Sequence, residues 1–178
     1  MSHTLLAMVF CPDRTGLVAG LSAALFDLGA NLGDTRFAVL GQGAEFSAVL
    51  TVDDDLTPAQ VEAALKGVPA AEGAEISVRP YDAWAESRDA APITHLVYVS
   101  GGNRPGLVAR LAEVFGDFDA NIVTMNAQPL PGDARKGAVE QYVVRFAVAI
   151  PGGRMEACLA TVSNTAQALG LSYRVESP

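Results

Sequence analysis

Cysteine, histidine and tryptophan are scarce in this 178-residue chain, with two, two and one respectively. Cys11 and Cys158 stand in different halves without CxxC spacing, so neither a disulfide scaffold nor a cysteine-based metal site is expected. His3 and His95 each open an apolar run, where a solvated or backbone-bonded ring is the ordinary reading. No Ser–His–Asp set surrounds them, and the charged residues show no metal-ligand spacing, so neither a metal nor a cofactor is expected. Basic side chains are few, 12 against 20 acidic. A formal charge of −8 repels polyanions and argues against direct nucleic-acid or anionic-membrane binding. No apolar run approaches the roughly 18 residues of a membrane span. The chain also runs from His3 straight into Thr4–Phe10 without a basic n-region or cleavage pattern, which predicts a cytoplasmic protein.

What the chain does contain is a long repeat. Asp13 to Asn31 reads DRTGLVAGLSAALFDLGAN, and Asn103 to Asn121 reads NRPGLVARLAEVFGDFDAN. Arg14, Gly16, Leu17, Val18, Ala19, Leu21, Asp27, Ala30 and Asn31 all return as identical residues at a constant offset of 90. Register held over such a length marks a duplicated domain. The expected organisation is a first domain at 1–80, a linker at 81–93 and a second domain at 94–178, each copy large enough for its own core.

Within the first copy, Thr4–Phe10 is short and almost wholly apolar, as in a strand buried on both faces or in the middle of a sheet. Leu17, Val18, Leu21, Leu25 and Leu28 recur at the spacings of one helical face, and Gly29 is placed to end that helix in a left-handed cap. Asn31–Leu40 reads as a second strand with a charged edge at Asp34 and Arg36. Phe46, Ala48, Leu50 and Val52 alternate in a third strand. Thr57, Pro58 and Gln60 form a capping-box signature for a second helix that Gly67 closes. Ala74, Ile76 and Val78 mark a fourth strand.

The second copy repeats this order with strands at Thr94–Ser100 and Asn121–Gln128, and with Tyr142 to Ile150 alternating. Its last helix carries Met155, Leu159, Val162, Ala166 and Leu169 on one face, and a closing strand contains Leu171, Tyr173 and Val175. Pro129–Ala138 lengthens its hairpin into an exposed excursion. Trp84 is expected to anchor the linker on a domain surface. The predicted fold is α+β, two ferredoxin-like βαββαβ domains, each a four-stranded antiparallel sheet with two helices on one face. Its other face must be covered or polar, which favours pairing of copies.

Between strand one and helix one lie CPDRTGL and GGNRPGL. Unpaired amide hydrogens and the positive end of the dipole favour a carboxylate there, and glycine at Gly16 and Gly106 lets a ligand or backbone approach closely. Asn31 and Asn121, beyond the other end of that helix, offer donor and acceptor to a free amino acid held between copies. A purely structural reading of the same residues makes Asp13 and Asn103 helix caps, Gly16 and Gly106 packing residues, and the two asparagines turn formers.

The two turns, each followed by a helix and an Ala-Asn pair, resemble the ACT domain, whose usual pattern is D-R-P-G-L with a later asparagine. Two such copies, with Thr35-Arg36-Phe37 and the longer second hairpin, most closely resemble the glycine cleavage system transcriptional repressor family. That resemblance implies amino-acid sensing at interfaces between ACT copies, glycine being the family's ligand, and homo-oligomers that act through a protein partner such as a transcription factor. It places ligand contacts at Asp13, Arg14, Thr15, Gly16, Leu17 and Asn31, and at Asn103, Arg104, Pro105, Gly106, Leu107 and Asn121. Thr15 replaces the usual proline and Asn103 the usual aspartate, so the two sites need not be equal.

Two other readings stand beside this one. The chain can be a ligand-free dimerisation module, since fold alone does not fix function. Arginine in the first turn with asparagine opening the next strand also resembles acylphosphatases, in which such a pair binds phosphate and positions water. Their glycine-rich turn leading into the arginine is missing here.

Overall fold

The computed structural model describes residues 2–82, 92–130 and 141–178. Most of the expected linker, with Trp84, and the hairpin excursion from residue 131 onward lie outside the described residues. The chain divides into two compact units. The first runs β1 (Ser2–Pro12), α1 (Leu17–Asp27), β2 (Asn31–Leu40), β3 (Gly43–Asp53), α2 (Pro58–Lys66) and β4 (Glu75–Pro80). The second runs β5 (His95–Gly101), α3 (Leu107–Asp117), β6 (Asn121–Leu130), β7 (Gln141–Ala149), α4 (Met155–Ala168) and β8 (Ser172–Glu176). Each is a four-stranded antiparallel sheet, ordered β2-β3-β1-β4 and β6-β7-β5-β8, so the ferredoxin-like α+β arrangement is present twice.

Alternation decides which side of each sheet is core. In β1, Leu5, Ala7, Val9 and Cys11 are buried, whereas Met8 and Phe10 between them are exposed. Of the two readings of that apolar run, the middle of a sheet holds and burial on both faces does not, because both helices lie on one side. Leu17, Leu21 and Leu25 of α1 and Val61 and Leu65 of α2 close the first core over Phe46, Ala48, Leu50 and Val52 of β3. Val18, expected on that helical face, is instead exposed. In the second unit Phe115 of α3 meets Phe146 of β7, ring centroids 5.3 Å apart. The buried stripe of α4 runs through Cys158, Val162 and Ala166, with Met155, Leu159 and Leu169 only flanking it. Cys158, which the apolar periodicity does not mark, is fully buried in that stripe.

The local signals for helix ends hold. Thr57 N–H donates to Gln60 Oε1 (2.8 Å) and Gln60 N–H to Thr57 Oγ1 (3.4 Å), completing the capping box before Pro58. Gly29 is left-handed (φ 75°) after α1; at the same offset the second copy has Asp119, also left-handed (φ 54°), with its carboxylate paired to Arg154. β2 and β6 are edge strands, and β2 is exposed almost throughout, including Phe37, Val39 and Leu40 beside the expected charges.

Candidate functional site

The turns before α1 and α3 are built alike. Leu17 N–H donates to the Arg14 carbonyl and Leu107 N–H to the Arg104 carbonyl, both at 3.2 Å. Gly16 (φ 87°, ψ 0°) and Gly106 (φ 80°, ψ 0°) are the helix N-caps. Bond and angles are those of a type II β-turn with glycine at its third position, which explains the motif: the second position suits proline, as at Pro105, and the third needs positive φ. Thr15 at the second position of the first turn lacks the ring that would preset its φ.

This geometry revises two expectations. A Cβ on Gly16 or Gly106 would meet nothing within 4 Å, so glycine is there for its left-handed backbone and not for close approach by a neighbour. Asp13 and Asn103 do not cap the helices; neither helix has a side-chain cap, because the turn places the cap position at the glycine. The amide hydrogens of the first turn of α1 and α3 therefore lack the side-chain oxygen that usually satisfies one of them.

Asp13 is held through its backbone, its N–H donating to the Gln42 carbonyl at 2.9 Å and so tying the turn to the β2–β3 hairpin. Arg14 Nη1 donates to the carbonyls of Glu72 (2.8 Å) and Ala70 (3.2 Å), in the short 3-10 segment and bend that lead to β4. Arg14 is thus a positioning residue that fixes the turn against the α2–β4 connection. In the second unit the Arg104 guanidinium lies 3.8 Å from where a Cβ on Gly170, just before β8, would sit. No sequence signal announces the Arg14 contacts, because its partners are main-chain carbonyls.

Asn31 and Asn121 open β2 and β6, opposite Thr51 and Ala149, and both are exposed. Each stands beyond the far end of its helix, whose 11 residues span about 16 Å. No single unit brings the turn and the asparagine together. The arginine and asparagine of the acylphosphatase-like reading are separated in the same way, and Arg14 already binds two carbonyls.

A hollow of about 340 Å³ opens next to the first turn, lined by Phe10, Cys11, Pro12, Gly43 and Glu75 among others. Periodicity could not reveal it, since it forms where the end of β1 meets the hairpin. Burial pushes the Cys11 thiol above its usual range, Arg14 opposing the rise and Asp13 adding to it, so the sulfur stays a protonated, inert neighbour. Among the described residues no helix is long and apolar enough to cross a membrane.

Residues 3–79 match the family model of the ACT domain. Among solved structures, an unknown protein from Galdieria sulphuraria superposes with a TM-score of 0.77 at 23% identity, covering 100% of this chain and 99% of its own. A protein provisionally described as a glycine cleavage system transcriptional repressor superposes with a TM-score of 0.68 at 15% identity, again over 100% and 99%. At these identities the likeness is one of fold. No curated protein matches the chain. The first unit matches the ACT domain over almost its whole length, and with β5 to β8, α3 and α4 repeating its architecture, the chain has a tandem ACT-type fold.

Proposed function

We propose that this protein is a non-enzymatic regulator that binds a small amino acid at its helix-opening turns and passes the bound state to a protein partner. One observation carries the reading: the same type II turn, at one offset, opens α1 and α3 on a left-handed glycine with no side-chain cap. Free amide hydrogens at the positive end of a helix dipole suit a carboxylate. The asparagine of a neighbouring copy, Asn31 or Asn121, supplies the amide that the ammonium and the second carboxylate oxygen need. Arg14 holds the first turn in place from behind.

In this reading the domains are 1–80 and 94–178 joined by 81–93, the protein works in the cytoplasm as a homo-oligomer, and it touches neither nucleic acid nor membrane. The likeness to a protein provisionally described as a glycine cleavage system transcriptional repressor makes glycine the first ligand to try and a transcription factor the first partner. The ligand can shift the packing of copies only by its differential affinity for the two arrangements.

The test is a thermal-stability panel of all common amino acids. A true ligand stabilises by about 2.7 kcal/mol at a hundredfold excess over its dissociation constant. Asn31→Ala should blunt the response while the unliganded fold persists, and Gly16→Val should blunt it at a cost in stability from its left-handed backbone. A flat panel, or an unchanged response in both variants, removes the proposal. The exposed Phe37, Val39 and Leu40 along β2 favour a second reading, a ligand-free docking module, which a flat panel with persistent self-association would select.

A further inference from the structure

The open faces of the two sheets, alike in position, have opposite chemistry. Across the first sheet one row reads Arg36, Ser47, Met8, Ser77 and the next Ala38, Glu45, Phe10, Glu75. The same rows across the second sheet read Asn126, Arg145, Tyr98, Arg174 and Gln128, Val143, Ser100, Ser172. Tyr98 stands at the offset of 90 from Met8, and Ser100 from Phe10. An apolar stripe bordered by glutamates in one copy is a tyrosine bordered by arginines and hydroxyls in the other.

The charge of the chain is divided in the same sense. Residues 1–87 hold 4 basic and 12 acidic side chains and carry the whole formal charge of −8; residues 88–178 hold 8 of each. The field that opposes anions therefore originates in the first unit.

Register, not loop placement, builds the basic cluster. Tyr98 lies in the central strand β5 directly opposite Arg145 of β7 on one side and Arg174 of β8 on the other. The Arg174 guanidinium carbon is 4.7 Å from the Tyr98 ring centroid and that of Arg145 is 5.6 Å away. Glu176 balances Arg174 at 3.2 Å, whereas Arg145 has no acidic partner among the described residues. Two guanidiniums gathered at one ring repel each other, and of the two only Arg174 has a carboxylate beside it to offset this. The groove over this row holds about 400 Å³, the size of a small-molecule site, and Ser100, Ser172 and Gln141 add neutral hydrogen-bonding groups to its wall.

We infer that the open face of the second sheet is a binding site for a small phosphomonoester. Guanidinium forks match phosphate oxygens bidentately, and a dianion between the two supplies Arg145 with the partner it lacks while sharing Arg174 with Glu176. The tyrosine ring sets the spacing of the two arginines and stacks the organic part of the ligand. The first sheet, with Ser47 and Ser77 where the arginines stand and Glu45 and Glu75 in the next row, rejects the same ligand, so the two copies divide their labour: one common turn, two different faces.

The test uses the full chain, titrated with glycerol 3-phosphate at constant ionic strength and followed by amide NMR. Saturable shifts are expected at Tyr98, Ser100, Arg145 and Arg174, with none at Met8 or Phe10. Arg145→Gln and Arg174→Gln, both surface changes, should each weaken binding at least tenfold, whereas Arg36→Gln on the first sheet should leave it unchanged. Binding should also weaken as pH falls from 8 to 5, because the phosphate loses its second charge near pH 6. Absence of saturable shifts overturns the inference, as does affinity equal to the parent's in either arginine variant. A response to succinate as strong as to glycerol 3-phosphate would assign the groove to carboxylates and equally overturn the phosphate assignment.

Discussion

Two glycine-to-alanine changes in the first turn and helix should destabilise the protein for opposite reasons. At Gly16 the backbone is left-handed (φ 87°) and the space around a Cβ is empty, so Gly16→Ala suffers only backbone strain, about 1–2 kcal/mol. Asparagine tolerates that conformation better, so Gly16→Asn should recover part of the loss. At Gly20 a Cβ would stand 2.7 Å from Val68 Cγ1, where α1 packs on the segment after α2. Gly20→Ala gains about 1 kcal/mol of helix propensity but forces an overpacked contact costing about 1–3 kcal/mol. Shortening the neighbour with Val68→Ala should relieve that strain, whereas the same change should do nothing for Gly16→Ala. Urea unfolding read from assigned amide signals measures all six variants, the four single changes and the two doubles with Val68→Ala, with signals of the second unit as an internal reference. If Gly16→Ala matched the parent, or if Val68→Ala failed to couple to Gly20→Ala, the turn geometry and the α1 packing described above would be wrong.

Removing the arginine clamp by Arg14→Met should cost about 1 kcal/mol and speed hydrogen exchange at Ala71 and Ala74, whose amides close the bend that Arg14 holds. Tyr173, whose hydroxyl donates to the Leu159 carbonyl at 3.3 Å, has its pKa pushed from 10.0 up to about 12, chiefly by burial and then by Cys158. The unfolded chain releases that proton near pH 10 and the folded one holds it, so stability should fall as pH climbs from 10 toward 12; unfolding at pH 9 and 11 should lose this slope in Tyr173→Phe. Thr57→Ala, which breaks the capping box, should cost about 1 kcal/mol in chemical unfolding and leave amino-acid binding unchanged, since Thr57 belongs to neither helix-opening turn.

Much of the fold was legible because its determinants are local or periodic. Thr57, Pro58 and Gln60 cap α2 through neighbours three residues apart, and Phe46, Ala48, Leu50 and Val52 alternate visibly. The repeat announced the two turns, and turn chemistry explains their glycines. What stayed hidden depends on partners distant in the chain. What Arg14 binds is not legible until the fold brings the Ala70 and Glu72 carbonyls to it. Tyr98, Arg145 and Arg174 become neighbours only through the strand order β7-β5-β8, which alternation alone does not supply. Val18 lies exposed because an apolar stripe is wider than the strip of helix that touches the sheet, and Cys158 is buried on α4 at a position the apolar periodicity does not mark.

The most direct trial of the sensing account is an amide-NMR titration of the full chain with each small amino acid, glycine first. The account predicts that at least one produces saturable shifts at residues 13–18 or 103–108, accompanied by shifts at Asn31 or Asn121 from a neighbouring copy. If every amino acid left those turns and asparagines unmoved, the helix-opening turns would be structural alone and the sensing account would be contradicted.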